Sequence, residues 1–330
     1  MEFSQLRKDL VSGDWIVIAP KRAARPHGFK ERGIREKAPV RGCIFENPRA
    51  MGYAEPIIEV SDRKGWSLVV IENKFPAFVH RDVCTTIGKR GPYSIADGVG
   101  HHDLVITRSH TQDFPDLSAK NANAVFRAFQ DRYLMLMNDE CLSYISIFHN
   151  WGPKAGASVF HPHYQIIAIP VVPPDFDHSL RGSREFSAQH QTCVHCTMIS
   201  WERKEKSRVI FENRGAIAFT PFVSRTAFEV RVFPKRHVPF FENTEERDLA
   251  DVVAALQASL RMIKKGLGDP DYNFFIHTAP MRKKHKYEHY HWHIEILPRI
   301  TIPAGFEQGT GIEINPVDPD QAAALFRRVR

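Results

Sequence analysis

The chain has 330 residues, 43% hydrophobic and 25% charged, ordinary proportions for a globular protein with room for two domains or one pseudo-twofold unit. No apolar run approaches the roughly 20 residues that span a bilayer, and residues 1–9 lack the apolar stretch of a secretory signal, so no membrane partner and a cytoplasmic location are expected. Net charge is +7, and residues 1–41 hold ten Lys/Arg against five Asp/Glu; these alternate with Pro, Gly and acids rather than lining a helix, which suits an anionic small molecule better than nucleic acid.

In chain order, residues 14–20 read as a short strand stopped by Pro20, and 21–41 as a loop rich in Pro, Gly and charge. Strand patterns follow at 67–71, 103–107, 144–148 and 164–170. A second series lies at 209–211, 217–219, 228–233, 273–277 and 291–297. One helix is predicted over 118–138, opened by Ser118, with Val125, Phe126, Phe129, Tyr133, Leu134 and Met137 on one face. Another opens at Asn243 and Glu246, a capping-box-like pair, and turns Leu249, Val252, Val253, Leu256, Leu260 and Ile263 to one side. Segment 171–192 reads as a linker, and Asp318-Pro319 as the start of a last helix. The class is therefore α+β, in two domains, 1–180 and 181–330, each an antiparallel sheet with one main helix.

Those halves repeat one unit. The first runs Cys43, His110, His161; the second runs Cys193-x-x-Cys196, His237, His291, and the gaps between the last two histidines are 51 and 54 residues. Cys193, Cys196, His237 and His291 form a Cys2His2 set suited to a closed, structural zinc. Five cysteines, only two of them closely spaced, fit a reducing compartment and a metal site better than a disulfide framework.

Only the first half ends in His161-Pro162-His163-Tyr164-Gln165. Residues i and i+2 of a strand share a face, so His163 lies beside His161 and Gln165, while Pro162 lacks a ladder donor and suggests a sheet edge. The preceding segment 148–158 is rich in small residues, with Gly156 allowing backbone amides close to an anion and Ser158 adding a hydroxyl. A neutral imidazole can approach a phosphate that would repel a carboxylate, and the Gln165 amide can stabilise charge on phosphoryl oxygens. His101, His102, His285 and His289 fall in polar segments and read as solvated.

The chain resembles the galactose-1-phosphate uridylyltransferase family of the histidine-triad superfamily. The resemblance rests on residues 15–26 (WIVIAPKRAARP), on Asn150 through Gln165, and on Ala304-Gly305-Phe306-Glu307 with Gly309, Gly311, Asn315 and Ala322-Ala323. It implies duplicated histidine-triad-like units and a double displacement. His163 attacks the α-phosphorus of a nucleoside diphosphate sugar, hexose 1-phosphate leaves, and a second phosphate attacks the nucleotidyl-histidine. Gln165 then holds phosphoryl oxygens, Ser158, Asn150 and Gly156 meet the phosphate with Arg22 and Arg25, and Asn73 meets the nucleoside. The resemblance also implies zinc, and a homodimer in which Glu307 acts across the interface.

Departures bear on the details. The family usually has CxxC in the first half, whereas this chain has Cys43-Ile44-Phe45-Glu46. Either Glu46 completes a Cys43-Glu46-His110-His161 zinc set as an oxygen donor, or the set holds no metal and His161 is only hydrogen-bonded. His293, matching His163, is followed by Ile294 and Glu295 rather than a glutamine at the second position, and reads as a non-catalytic relic, buried or binding a second metal. Lys74 and Glu313 depart from the uridylyltransferase pattern where nucleoside and sugar are selected. Uridylyl transfer to hexose 1-phosphate is the expectation, with an ADP-sugar or adenylyl phosphorylase, a non-catalytic nucleotide-binding zinc protein and a water-using hydrolase as alternatives.

Overall fold

In a computed structural model, residues 3–24, 38–63 and 65–330 are described. The first half carries strands β1 (Gln5–Lys8), β2 (Trp15–Ile18), β3 (Ile58–Asp62), β4 (Gly65–Glu72), β5 (Gly88–Arg90), β6 (Tyr93–Ile95), β7 (His101–Thr107), β8 (Tyr144–Trp151) and β9 (His163–Ile169). The second carries β10 (Val209–Glu212), β11 (Ala216–Phe219), β12 (Val230–Pro234), β13 (Tyr272–His277), β14 (His293–Pro298) and β15 (Ile314–Asn315). The helices are α1 (Ala119–Leu136), α2 (Pro174–His190), α3 (Val194–Glu205), α4 (Glu246–Leu267), α5 (Gly305–Thr310) and α6 (Pro319–Arg328).

Ten strands form one sheet in the order β10-β11-β12-β14-β13-β8-β9-β7-β4-β3. The order is palindromic about β13 and β8: read outward, β8-β9-β7-β4-β3 matches β13-β14-β12-β11-β10. The expected sheet per half is thus corrected to half-sheets joined by antiparallel pairing of β8 with β13, in register from Ile147 opposite Ile276 to Trp151 opposite Tyr272. That pairing removes two edges that would otherwise expose unpaired backbone groups. Strand β9 lies inside the sheet between β8 and β7 rather than at an edge; Pro162 avoids the ladder because it precedes the first paired residue, His163.

Helices α1 and α4 cover one face of this sheet. Ser118 caps α1 by accepting from the Asn121 N–H at 3.2 Å, as expected. Helix α4 starts at Glu246 with Glu245 at the cap, while Asn243 ends a preceding 3-10 turn. Val125, Phe126, Phe129 and Tyr133 of α1 share one core with Leu249, Val252, Val253, Leu256, Leu260 and Ile263 of α4, and with Tyr164 and Ile166 of β9 and Ile294 and Ile296 of β14.

Segment 171–192 connects the halves through a helix rather than an irregular linker. Its Pro173-Pro174 pair reads as a breaker, yet Pro174 sits in the first turn of α2, where a missing N–H costs nothing, and Phe176, Leu180 and Ser183 are buried along one side. A disulfide also joins Cys84 to Cys141, with Cα atoms 4.9 Å apart, tying the segment between β4 and β5 to the turn between α1 and β8. The expectation of no disulfide is corrected: the partners are 57 residues apart, so spacing carried no sign of the bond. Among the described residues no helix is long and apolar enough to cross a membrane.

Candidate functional site

Period-2 alternation turns Tyr164, Ile166 and Ala168 of β9 into the helix-covered core, which leaves His163, Gln165 and Ile167 on the opposite face. Register places Ile106 opposite His163 and Leu104 opposite Gln165 on β7, and Phe148 opposite Gln165 on β8. Phe45 covers this face, its ring centroid 5.0 Å from that of His163.

His163 is 7% exposed. Its Nδ1–H donates to the His161 carbonyl at 2.9 Å, so Nε2 carries the lone pair. Burial pushes the imidazole down to about 4, and the ring is neutral at neutral pH. From behind, His149 Nδ1 donates to the His163 carbonyl at 2.8 Å, and His149 Nε2 lies 3.1 Å from Asp113, which also accepts from the Tyr272 hydroxyl at 2.7 Å.

Two amides flank the histidine, each pinned by a donor behind its oxygen. Asn150 Oδ1 accepts from Asn273 Nδ2 at 2.7 Å, and Asn273 also donates to the Ala155 carbonyl at 2.8 Å while accepting from Arg299. The Asn150 nitrogen is thereby turned toward the loop at Gly156, where an added Cβ would stand 3.8 Å from it. That loop is a 3-10 turn over Pro153–Ala155, closed by Gly156 at φ +88°, a conformation side chains resist. Gln165 Oε1 meets His102 Nε2 at 2.9 Å. Asn73 directly follows β4 with its N–H on the His102 carbonyl at 2.8 Å, and Ser158 is exposed at the loop's far end.

Not every predicted residue gathers here. Arg22 is exposed on the turn Pro20–Ala24, and Arg25 lies outside the described residues. Glu307 caps its own helix, accepting from the Ala304 N–H at 2.9 Å, rather than reaching the His163 face of its own chain. His102, read as solvated, is half-buried on β7, as is His101; His285 is exposed as expected, and His289 is half-buried with Nε2 3.3 Å from the Leu180 carbonyl. Sequence reading missed Asn273, because only the β8–β13 pairing sets it opposite Asn150.

Both predicted metal sets form. The ligand atoms of Cys193, Cys196, His237 and His291 lie within 4.8 Å of one another, and so do those of Cys43, Glu46, His110 and His161. His110, His161 and His237 each give their Nε2–H to a backbone carbonyl, of Ala38, Thr107 and Glu288 at 2.9, 2.7 and 2.8 Å, leaving an Nδ1 lone pair aimed into the cluster. In the first set His110 Nδ1 therefore faces Glu46 Oε1 at 3.1 Å, acceptor against acceptor, with neither atom hydrogen-bonded. A proton shared between them or a metal ion would relieve that opposition, and the Cys43-Glu46-His110-His161 donor set is one that could hold a metal ion. In the second set Cys193 caps α3 and Cys196 lies in its first turn; a hydrogen bond from Cys196 lowers the Cys193 thiol, and the helix N-terminus favours the same thiolate.

The second half repeats the first with one change of residue type. His293 Nδ1 donates to the His291 carbonyl at 3.2 Å, as His163 does to His161. Two residues on, Glu295 stands where Gln165 stands, with Oε2 3.1 Å from His277 Nε2; Arg231 and His277 hold its carboxyl below the usual range against burial. A carboxylate there repels phosphoryl oxygens, and the donor atoms of His277, His293 and Glu295 cluster within 4.8 Å.

A half-sheet with a His-x-His segment opening its strand β9, repeated with the same backbone bond at β14, defines a duplicated histidine-triad fold. The family described as galactose-1-phosphate uridyl transferase, N-terminal domain, matches residues 1–173, and a domain of unknown function (DUF4921) matches 93–328. The chain is 33% identical to an ADP-glucose phosphorylase of Arabidopsis thaliana, over 98% of this chain and 93% of that one. It is 26% identical to a galactose-1-phosphate uridylyltransferase of Thermotoga maritima, over 98% of each. The crystal structure of an ADP-glucose phosphorylase from Arabidopsis thaliana with bound ADP-glucose superposes with a TM-score of 0.84 at 31% identity, covering 100% of this chain and 99% of that one. The chain belongs to the galactose-1-phosphate uridylyltransferase family of nucleotidyltransferases.

Proposed function

We propose that this enzyme moves a nucleoside monophosphate between a nucleoside diphosphate sugar and a sugar phosphate or phosphate, through a nucleotidyl-His163 intermediate. The observation that carries the reading is the fixed tautomer of His163: a buried, neutral ring with Nδ1–H spent on the His161 carbonyl and Nε2 free. Nε2 attacks the α-phosphorus, the bond to the sugar-phosphate oxygen breaks, and that oxygen leaves with its electron pair. The charge then gained by the imidazole ring is stabilised at Nδ1–H by the same carbonyl, which keeps the ring a good leaving group for the second displacement. The Gln165 and Asn150 amide nitrogens, with the Gly156 loop and Ser158, hold phosphoryl oxygens. Asn73 meets the nucleoside, and Arg22 and Arg25 approach from the N-terminal segment to neutralise phosphate.

Uridylyl transfer to hexose 1-phosphate is one form of this reaction. A second, adenylyl form with phosphate as acceptor is favoured by the 33% identity to the ADP-glucose phosphorylase and by Glu313, which replaces the glutamine expected for sugar hydroxyls. Incubation with labelled UDP-glucose or ADP-glucose, with and without hexose 1-phosphate or phosphate, distinguishes them by the products released.

Zinc suits both clusters: Cys193, Cys196, His237 and His291 make a closed tetrahedral set, and Cys43, Glu46, His110 and His161 a second. Bound there, it supplies structural cross-links, the first of them bracing His161. We place the enzyme in the cytoplasm on its three free thiols, Cys43, Cys193 and Cys196, all of them in the two clusters; the Cys84–Cys141 disulfide is unusual for that compartment. A homodimer is supported by the exposed Ile302 and Phe306 beside Glu307, which gives that carboxylate a route to the partner's sugar-phosphate pocket.

A further inference from the structure

We propose that His102 is a positioning residue that selects which end of the Gln165 amide faces the phosphoryl group. The inference rests on the reading of His163 as the nucleotidyl acceptor. The Ala77 backbone N–H lies 3.1 Å from His102 Nδ1 and can only donate, so Nδ1 is the bare nitrogen and the proton sits on Nε2. Gln165 Oε1, 2.9 Å from that Nε2, accepts it. Asn73 Nδ2 also lies 3.1 Å from Nε2, but that pair is donor against donor, so the hydrogen bond goes to Gln165 and the Asn73 amide nitrogen stays available.

With its oxygen held from the β7 side, Gln165 has its NH2 group left for the face it shares with His163, about 7 Å along the strand at two residues' spacing. An unheld amide offers either end, and its oxygen would repel a phosphoryl oxygen. The choice is set from the turn after β4. Ala77 fixes the His102 tautomer, the His102 carbonyl accepts the Asn73 N–H at 2.8 Å, and Asn73 Oδ1 accepts the Phe75 N–H at 3.0 Å. Residues 73–77, beside the proposed nucleoside contact, are therefore coupled through one imidazole to the amide that meets the phosphoryl group.

The test is single-turnover formation of nucleotidyl-enzyme from labelled ADP-glucose and UDP-glucose by the full chain, with melting curves on each preparation. His102→Ala is expected to slow labelling about 10–100-fold, less than the loss of a transition-state donor itself, with half-saturating donor shifted less than about threefold. His102→Gln restores an N–H donor and is expected to recover most of the rate. In a Gln165→Ala background, His102→Ala is expected to cost less than about twofold more, because its effect passes through Gln165. The proposal is overturned if His102→Ala labels at the wild-type rate, if its cost persists in the Gln165→Ala background, or if His102→Gln is no faster than the alanine variant. A loss that tracks unfolding in both His102 variants overturns it too, by making the role structural. Absence of labelling in the unaltered protein from either donor sinks the His163 reading itself, an outcome the variants cannot mimic.

Discussion

Asn273→Ala should damage a site whose nucleophile and phosphoryl-binding residues lie on the other half of the chain. Asn273 is 6% exposed and makes three hydrogen bonds: to Asn150 Oδ1 at 2.7 Å, to the Ala155 carbonyl at 2.8 Å, and from Arg299. Two neutral bonds at about 0.5–1.5 kcal/mol each and one to a charged group at about 1.5–3 kcal/mol sum to about 2.5–6 kcal/mol. Asn150 and Arg299 are half-buried and regain part of this from water, so about 2–4 kcal/mol is expected. Urea unfolding should show an earlier midpoint at unchanged slope. Loss of the donor also frees the Asn150 amide and the Gly156 loop, and displacement on the order of 1 Å in such a site costs about 100-fold in rate. Asn273→Asp is a control: it keeps an acceptor for Arg299 but sets carboxylate oxygen against two acceptors, so it should be as slow. A stability change below about 0.5 kcal/mol, far under the hydrogen-bond ledger, together with a wild-type rate, would show that the second half does not support the site.

Cys196→Ser should lower bound zinc by about one ion per chain and depress the melting temperature, since closed metal sites couple binding to folding; unchanged metal content refutes the set. Glu46→Ala should remove the first ion and leave the second, read by elemental analysis, and equal zinc in both proteins would show that Glu46 is no ligand. Arg132→Met strands Asp103, 1% exposed and 2.7 Å from Arg132 Nε, and should cost about 3–5 kcal/mol. Burial already raises the Asp103 carboxyl, and without Arg132 it rises further. The folded variant then holds a proton the unfolded chain has lost, so its deficit should be smaller at pH 5 than at pH 8, and a pH-independent deficit would contradict the argument.

The two clusters were legible because both sets repeat at similar spacing, and all eight side chains come together as two groups that could hold a metal ion. His163 and Gln165 were legible because two-residue periodicity fixes a shared face whatever the strand pairs with. Joining of the half-sheets was not, since nothing local in β8 or β13 names the other as partner. Helix α2 hid behind Pro173-Pro174, although Phe176, Leu180 and Ser183 carried its spacing. His102 looked solvated among polar neighbours; its role depends on Gln165, 63 residues later, and on an N–H from Ala77. The Cys84–Cys141 bond likewise depends on the segment after β4 folding back onto the turn between α1 and β8.

The central claim is that a nucleotide becomes covalently attached to His163. Intact-mass analysis of enzyme mixed with ADP-glucose or UDP-glucose, followed by peptide mapping, tests it directly. The account predicts one nucleoside monophosphate per active site, on His163, acid-labile as a phosphoramidate, discharged by added phosphate or hexose 1-phosphate and absent from a folded His163→Ala variant. An adduct that persists in that variant, or none from either donor in the unaltered protein, would contradict it.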